Sequence, residues 1–167
     1  MSSGPVITQE MRRLVGVETA PYTIEVEAGD LRRFAQAIGH GAPAEGKTDR
    51  ANTIHREDSA APPTFFCPDP IIAAELCGLV RPRPFRYSID GGSEWEFHRS
   101  VRTGDTLRLS SRIAELYEKQ GSATTGAMLF TVIEVRCLNQ RDELVGVACG
   151  TAIAYEGAQA TDGQEQA

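Results

Sequence analysis

The stretch that decides the fold is FRYSIDGGSEWEFHRSVRTGDTL, residues 85–107. Apolar and charged residues are interleaved along it, and two glycine-containing pairs, Gly91 with Gly92 and Gly104 with Asp105, divide it. Glycine pairs between such runs are typical of turns, so the pattern predicts an amphipathic hairpin with strands at 85–89 and 94–101.

The sequence on both sides of this hairpin also predicts strands and helices. Three further strands are predicted downstream, at 106–117, 127–138 and 144–155, with turns at Gly121 and at 139–142. Upstream, the alternation of Tyr22, Ile24 and Val26 with polar residues predicts a strand. A short helix is predicted after it, because Leu31, Phe34, Ala35 and Ile38 recur at helical spacing before Gly39.

A second helix is predicted to begin at Asp69, which can cap it, with Pro70 in its first turn. The helix is apolar nearly all round, interrupted by Glu75, and is expected to be buried. Antiparallel strands around one buried helix predict an α+β fold, a single domain with a curved sheet wrapped around a central helix. We assign 1–20 to an irregular N-terminal arm, 21–156 to the domain and 157–167 to a disordered tail, with 40–60 as a long loop.

Composition narrows the possible functions. The net charge of −6 argues against nonspecific nucleic-acid binding, which needs a basic surface. No apolar run is long enough to span a membrane and the first ten residues do not resemble a signal peptide, so a cytoplasmic protein is expected.

The four cysteines, Cys67, Cys77, Cys137 and Cys149, have no paired C-x-x-C spacing. They are expected to be small buried residues, not metal ligands or disulfides. No dinucleotide fingerprint or phosphate loop is present, and no cofactor is expected.

Three blocks of the sequence carry a family resemblance. They are residues 29–39, residues 61–65 (Ala-Pro-Pro-Thr-Phe), and the hairpin with its Phe-His-Arg and Gly-Asp-Thr segments. In this order and spacing, over about 19–155, the chain resembles the MaoC-like dehydratase family, within it the N-terminal FAS1-like dehydratase branch. The resemblance implies a hotdog fold. It also implies reversible hydration of a 2-enoyl thioester, or dehydration of a 3-hydroxyacyl thioester, carried by coenzyme A or acyl carrier protein.

Such chemistry requires a base near the α carbon and an acid near the β oxygen. In complete relatives an Asp and a His after the first helix supply them, and this sequence departs from that pattern. An ungapped register places His40 at the Asp position and Glu45 at the His position, so the pair is swapped. A second register, through Asp49, Asn52 and His55, leaves too little chain before Ala61 for the helix that normally intervenes. We favour the first register and keep His55 as the alternative.

Two further groups are candidates for substrate binding. The backbone N–H groups of Thr64, Phe65 and Phe66 are placed to meet the thioester oxygen, a role that the neighbouring prolines cannot take. Five arginines, at positions 81, 83, 86, 99 and 102, fall in one short stretch of an acidic chain. Guanidinium groups suit the phosphates of coenzyme A, and Arg83, Arg86 and Arg99 are the candidates for that contact. A solvated strand face is the alternative explanation of the cluster.

The resemblance also bears on partners. A lone sheet of this kind leaves an edge and an open cleft, so a homodimer or a heteromer with a second hotdog subunit is expected. Because the acid/base pair is altered, this chain could shape the acyl site while a partner supplies the catalytic Asp and His. Two other functions stay open: a hotdog thioesterase using Glu75 or Asp69, and an acyl-binding subunit without turnover.

Overall fold

A computed structural model describes residues 5–39 and 60–157, which form a curled antiparallel sheet of five strands with short helices. In chain order the elements are α1 (Gln9–Leu14), β1 (Tyr22–Glu25), α2 (Ala28–Ala37), a 3-10 turn (Pro63–Phe65), α3 (Pro70–Leu76), β2 (Tyr87–Phe97), β3 (Thr106–Gln120), β4 (Ala127–Leu138) and β5 (Leu144–Tyr155). The order of the strands across the sheet is β1-β3-β4-β5-β2. The predicted α+β architecture is confirmed.

The core lies between α3 and the inner face of the sheet. Ala73 and Ala74 of α3 are buried against a cluster that includes Leu109, Ile133 and Val135. Along β4 every second side chain from Leu129 to Cys137 is buried, as expected for a strand with one face on the core. The three long strands β3, β4 and β5 thus carry the packing that holds α3.

The predicted hairpin between 85 and 101 is wrong. Strand β2 runs unbroken through Gly91 and Gly92, and its whole length pairs with β5. The register shifts between Asp90 and Ser93, so the two glycines form a bulge and not a turn. A Cβ on Gly91 would lie 2.8 Å from the side chain of Ile153, which explains why a residue without a side chain is needed there.

Helix α3 begins as predicted, but it is short and only half buried. The Asp69 side chain accepts hydrogen bonds from the N–H groups of Ile71 (2.9 Å) and Ile72 (3.0 Å). On the outer face, Ile72 and Leu76 are 59% and 55% exposed, so the expectation of a long, fully buried helix is not met within one chain. Apolar faces open to solvent are typical of surfaces that take part in interactions.

The N-terminal arm is more ordered than expected. Thr8 caps the short helix α1, and Ile7 just before it is buried with Leu129 and Ala154. The arm therefore covers one end of the inner face. A six-residue helix carries too little periodicity to be recognised in the sequence.

The cysteines divide into two kinds. Cys77 and Cys137 are buried as predicted, whereas Cys67 is exposed and Cys149 is half-buried, which corrects the expectation for those two. Burial raises the pKa of the Cys137 thiol to about 12 and also raises the pKa of Cys77 and Cys149. These three thiols are therefore protonated at neutral pH and are poor nucleophiles.

Strand β2 forms an edge of the sheet, and no residue along it is buried. Its exposed apolar side chains include Ile89 (50% exposed), Trp95 (38%) and Phe97 (44%). An edge this long and apolar is a ready template for pairing with another strand. Within the described ranges, no helix has the length and apolar character needed to cross a membrane.

Candidate functional site

A cavity of about 200 Å³ lies where the chain entering the 3-10 turn meets the chain leaving β2. Two segments form its walls: Ala61, Pro62 and Phe66 on one side, and Phe97, His98, Arg99, Ser100 and Val101 on the other. They are joined by a hydrogen bond from the Ala61 N–H to the Val101 carbonyl (2.7 Å). The cavity has an apolar wall at Pro62 and Phe66, and the polar side chains of His98, Arg99 and Ser100 lie on its other side.

The 3-10 turn separates the roles of the three residues predicted to meet the thioester. The Phe65 N–H donates to the Pro62 carbonyl (2.9 Å), and its ring packs edge-on against Phe34 of α2 (5.5 Å between ring centres). Phe66 lines the cavity and Thr64 is exposed. Since the Phe65 N–H is used within the turn, those of Thr64 and Phe66 are the better candidates for an oxyanion contact.

The opposite wall is held by β5. The N–H groups of His98 (2.8 Å) and Arg99 (3.1 Å) both donate to the Val145 carbonyl, which ends the regular pairing of β2. The His98 Nε2 atom lies 3.6 Å from Glu96 Oε1, and Arg99 Nη2 lies 3.4 Å from Glu143 Oε1. From the sequence, His98 follows Trp95 and Phe97 on the polar side of the strand, where a partner-contact or surface role fits at least as well as a catalytic one. The structure places it on the cavity wall.

The turn between β4 and β5 fixes the position of Glu143. Buried Asn139 accepts hydrogen bonds from the N–H groups of Arg141 and Glu143 and donates to Glu143 Oε2 (2.8 Å). Hydrogen bonds from Asn139, and then from Arg141, lower the pKa of the Glu143 carboxyl. Glu143 therefore stays ionised near neutral pH and holds Arg99 beside the cavity.

The same turn holds the segment that follows the cavity. Gln140 Nε2 donates to Asp105 Oδ1 (3.0 Å), and the Thr106 N–H donates to Gln140 Oε1 (3.1 Å). The second carboxylate oxygen of Asp105 accepts from the Arg102 N–H (2.7 Å). The Gly-Asp-Thr segment thus has a structural role, since it connects the end of the cavity wall to the start of β3.

The predicted carrier-binding arginines do not meet in one chain. Arg83 Nη2 donates to Glu75 Oε1 of α3 (2.7 Å), and Arg86 lies over the ring of Tyr87 (5.7 Å to its centre). Both precede β2, whereas Arg99 follows it at the cavity. The arginines expected to form one cluster therefore lie at opposite ends of one strand.

The three predicted acid/base residues, His40, Glu45 and His55, lie outside the described residues. The described chain stops at Gly39, just after α2, and resumes at Ala60, which bridges to Arg102 beside the cavity. Among residues 5–39 and 60–157, no three His, Cys, Asp or Glu side chains are grouped so that they could hold a metal ion.

Several known proteins resemble this chain in sequence. It is 33% identical over 109 residues to a UPF0336 protein of Streptomyces coelicolor, a match covering 62% of this chain and 69% of that protein. A UPF0336 protein of Streptomyces griseus is 32% identical over 111 residues, covering 62% of this chain and 72% of that protein.

Solved structures share its fold. A chain of the HadBC (3R-hydroxyacyl-ACP dehydratase) complex from Mycobacterium tuberculosis superposes with a TM-score of 0.58 at 24% identity, covering 84% of this chain and 97% of that one. The ChsH1-ChsH2 complex from the same organism gives 0.62 at 14% identity (90% and 99% covered). R-hydratase PhaJ1 from Pseudomonas aeruginosa gives 0.53 at 22% identity (85% and 82% covered).

The neighbouring structures establish the hotdog fold for the curled sheet around α3. The family described as FAS1-like, dehydratase domain region, matches residues 13–147, which include α2, the cavity, β3, β4 and the first residues of β5. This chain belongs to that FAS1-like dehydratase family.

Proposed function

We propose that this chain is a subunit of a MaoC-like hydratase or dehydratase that interconverts 2-enoyl and 3-hydroxyacyl thioesters. The observation that carries the proposal is the cavity between Phe66 and Phe97, beside which Ala60 bridges to Arg102. Family membership supplies the reaction class, and related folds include proteins described as an R-hydratase and a 3R-hydroxyacyl-ACP dehydratase. The acyl carrier is coenzyme A or acyl carrier protein.

In this proposal one wall of the cavity binds the substrate, and a separate acid/base pair transfers protons. Pro62 and Phe66 present apolar surface to the acyl chain, and the N–H groups around Phe66 polarise the thioester carbonyl. In dehydration one member of the His40/Glu45 pair removes the α proton while the other protonates the β hydroxyl, which leaves as water as the double bond forms; hydration reverses these steps. His55 is the alternative to this pair.

A second hotdog subunit is part of the proposed enzyme. The exposed edge β2 and the open face of α3 leave apolar side chains uncovered in one chain. Structures with related folds include the HadBC and ChsH1-ChsH2 complexes, each named for two components. Homodimeric and heteromeric assembly both satisfy the exposed edge, and a heteromeric partner could bring its own catalytic Asp and His.

The thioesterase alternative receives no support from the described residues. Its candidate carboxylates are both occupied, since Asp69 caps α3 and Glu75 binds Arg83. A carboxylate held in this way is poorly placed to assist water attack on a thioester.

The test is to incubate the purified protein with 2-enoyl-CoA substrates of several chain lengths and follow loss of the conjugated double bond. Reversible formation of 3-hydroxyacyl-CoA supports the proposal. Release of free coenzyme A would indicate a thioesterase. Neither product, with tight binding of acyl-CoA, would indicate an acyl-binding subunit and overturn turnover by this chain alone.

A further inference from the structure

Arg99 lies on the cavity wall opposite Phe66, and its ion pair is loose. Its Nη2 atom is 3.4 Å from Glu143 Oε1, longer than the ~2.7 to 2.9 Å of a charge-assisted hydrogen bond. Arg112, by contrast, binds Glu134 through two N–H groups, at 3.0 Å and 3.1 Å. A guanidinium carries several N–H donors, and one long contact leaves most of them available to another acceptor. Arg99 can therefore bind a ligand without losing its anchor.

The charge of Arg99 is not cancelled by its partner. Glu143 Oε2 accepts hydrogen bonds from Asn139 Nδ2 (2.8 Å) and from Arg141 Nε (3.1 Å), so one carboxylate serves two arginines. Together the two arginines and this carboxylate carry one net positive charge. Among the described residues, no acidic side chain lines the cavity. The cavity therefore presents a positive charge and no negative one.

The size of the cavity limits what can reach this charge. Its volume of about 200 Å³ is below the ~300 to 1,000 Å³ of sites that enclose drug-sized ligands, so it suits a short acyl group. In the proposed function the thioester carbonyl lies at the N–H groups around Phe66. The far end of a short acyl chain then reaches Arg99 on the facing wall. The carrier phosphates do not, because a long pantetheine arm separates them from the thioester.

We propose that Arg99 determines substrate specificity, and that the preferred substrates are short 2-enoyl thioesters whose acyl chain ends in a carboxylate. The inference rests on the proposed function, which places the thioester in the cavity. A guanidinium binds a carboxylate through charge-assisted hydrogen bonds, whereas an apolar cavity without such a partner rejects a carboxylate because the charge loses its hydration. In this assignment Pro62 and Phe66 contact the hydrocarbon part of the acyl group, and Arg99 contacts its terminal charge.

Two substrates of equal chain length test the proposal with the full-length protein. One is 2-pentenoyl-CoA, which ends in a methyl group, and the other is 4-carboxybut-2-enoyl-CoA, which ends in a carboxylate. Hydration is followed as loss of the conjugated double bond. We expect kcat/KM to be about tenfold higher for the carboxylated substrate, as for a charge-assisted contact that is partly screened by solvent. Equal values, or a preference for 2-pentenoyl-CoA, would overturn the proposal.

Arg99→Ala should abolish this preference. Arg99 is 54% exposed, so its replacement should leave the fold intact. Arg141→Ala is the matched control and should keep the preference, because Arg141 binds the same Glu143 carboxylate but lies outside the cavity lining. Both substrates carry the same phosphates. An equal loss of kcat/KM for both in Arg99→Ala would therefore assign Arg99 to the carrier and overturn the proposal, as would loss of the preference in Arg141→Ala.

Saturated analogues separate this inference from the proposed function, because they bind but cannot be hydrated. Calorimetry should show that the wild type binds glutaryl-CoA about tenfold more tightly than pentanoyl-CoA, and that Arg99→Ala binds the two equally. This binding preference without turnover of either enoyl-CoA would support carboxylate recognition and refute the enzymatic function. Turnover of both enoyl-CoA substrates at equal kcat/KM, without a binding preference, would do the reverse. Failure to bind either analogue would overturn both.

Discussion

Strands β4 and β2 belong to one sheet and differ in what covers them. Every second side chain of β4 between Leu129 and Cys137 is buried by α3, the arm and neighbouring strands, whereas β2 buries none of its residues. The burial of β4 is therefore complete within one chain, and that of β2 is not. In the proposed assembly, the uncovered edge along β2 is half of an interface.

The sharpest test of this difference compares two isoleucines. Ile133 on β4 is fully buried and Ile89 on β2 is 50% exposed. We expect Ile133→Ala to lower the free energy of unfolding by about 2 to 5 kcal/mol, through lost burial and an unfilled cavity. Ile89→Ala should cost below about 1 kcal/mol under conditions where the chain is monomeric. Urea unfolding followed by circular dichroism measures both, and equal losses would mean that β2 is covered within its own chain.

The second test concerns the predicted acid/base residues. His40→Ala and Glu45→Gln should each lower turnover of an enoyl-CoA by about 100-fold, the usual contribution of a general acid or base. His55→Ala should leave the rate nearly unchanged and acts as the control. The opposite ranking would select the alternative register, and unchanged rates in all three variants would assign the chemistry to a partner subunit.

A third test places a charge on the uncovered face of α3. Ile72 is 59% exposed, so Ile72→Glu should leave the fold intact but weaken association of subunits by roughly 30-fold, as expected for a central apolar contact. Val17→Glu is the control, because Val17 is equally exposed (57%) but lies in the N-terminal arm. Analytical ultracentrifugation over a range of concentrations measures the effect. Similar weakening in both variants would remove α3 from the interface.

The smallest expected effect is on acid stability. The pKa of Glu143 is lowered from its ordinary value of 4.5 in the folded state, so its contribution to stability is present above that pH and is lost as the pH falls through the folded pKa. Glu143→Gln should therefore reduce the loss of stability between about pH 5 and about pH 3. Glu25→Gln, at an exposed position of β1, is the control. Thermal unfolding at a series of pH values measures the effect. If the wild type and Glu143→Gln lost stability in parallel as the pH fell, the Asn139 contacts would not contribute to it.

Local patterns predicted most of the elements. The alternation around Ile24, the helical spacing from Leu31 to Ile38 and the Asp69 cap each specify their element through nearby residues, and all three are found. The bulge at Gly91 and Gly92 was predicted as a turn because the choice depends on β5, more than fifty residues away, which pairs with the chain on both sides of it. No local signal distinguishes a bulge from a turn in that case.

The candidate site was predicted less completely, for the same reason. Phe66 and Arg99 line the cavity, but Arg83 and Arg86 lie at the other end of a straight strand. Nearness in sequence implies nearness in space in a helix or a turn, whereas in a strand it implies separation.

The position of Trp95 on the exposed edge strand β2 affects its fluorescence. Trp95 is the single tryptophan of the chain, and its indole Nε1 donates to the Pro68 carbonyl (2.8 Å), just ahead of α3. The ring is 38% exposed on the unpaired edge, in a polar surrounding that shifts indole emission to long wavelengths. In the proposed assembly a second subunit covers β2, and emission should then move toward the blue. Trp95 would thus be an intrinsic fluorescent reporter of that assembly, which needs no label and can be read during a dilution series.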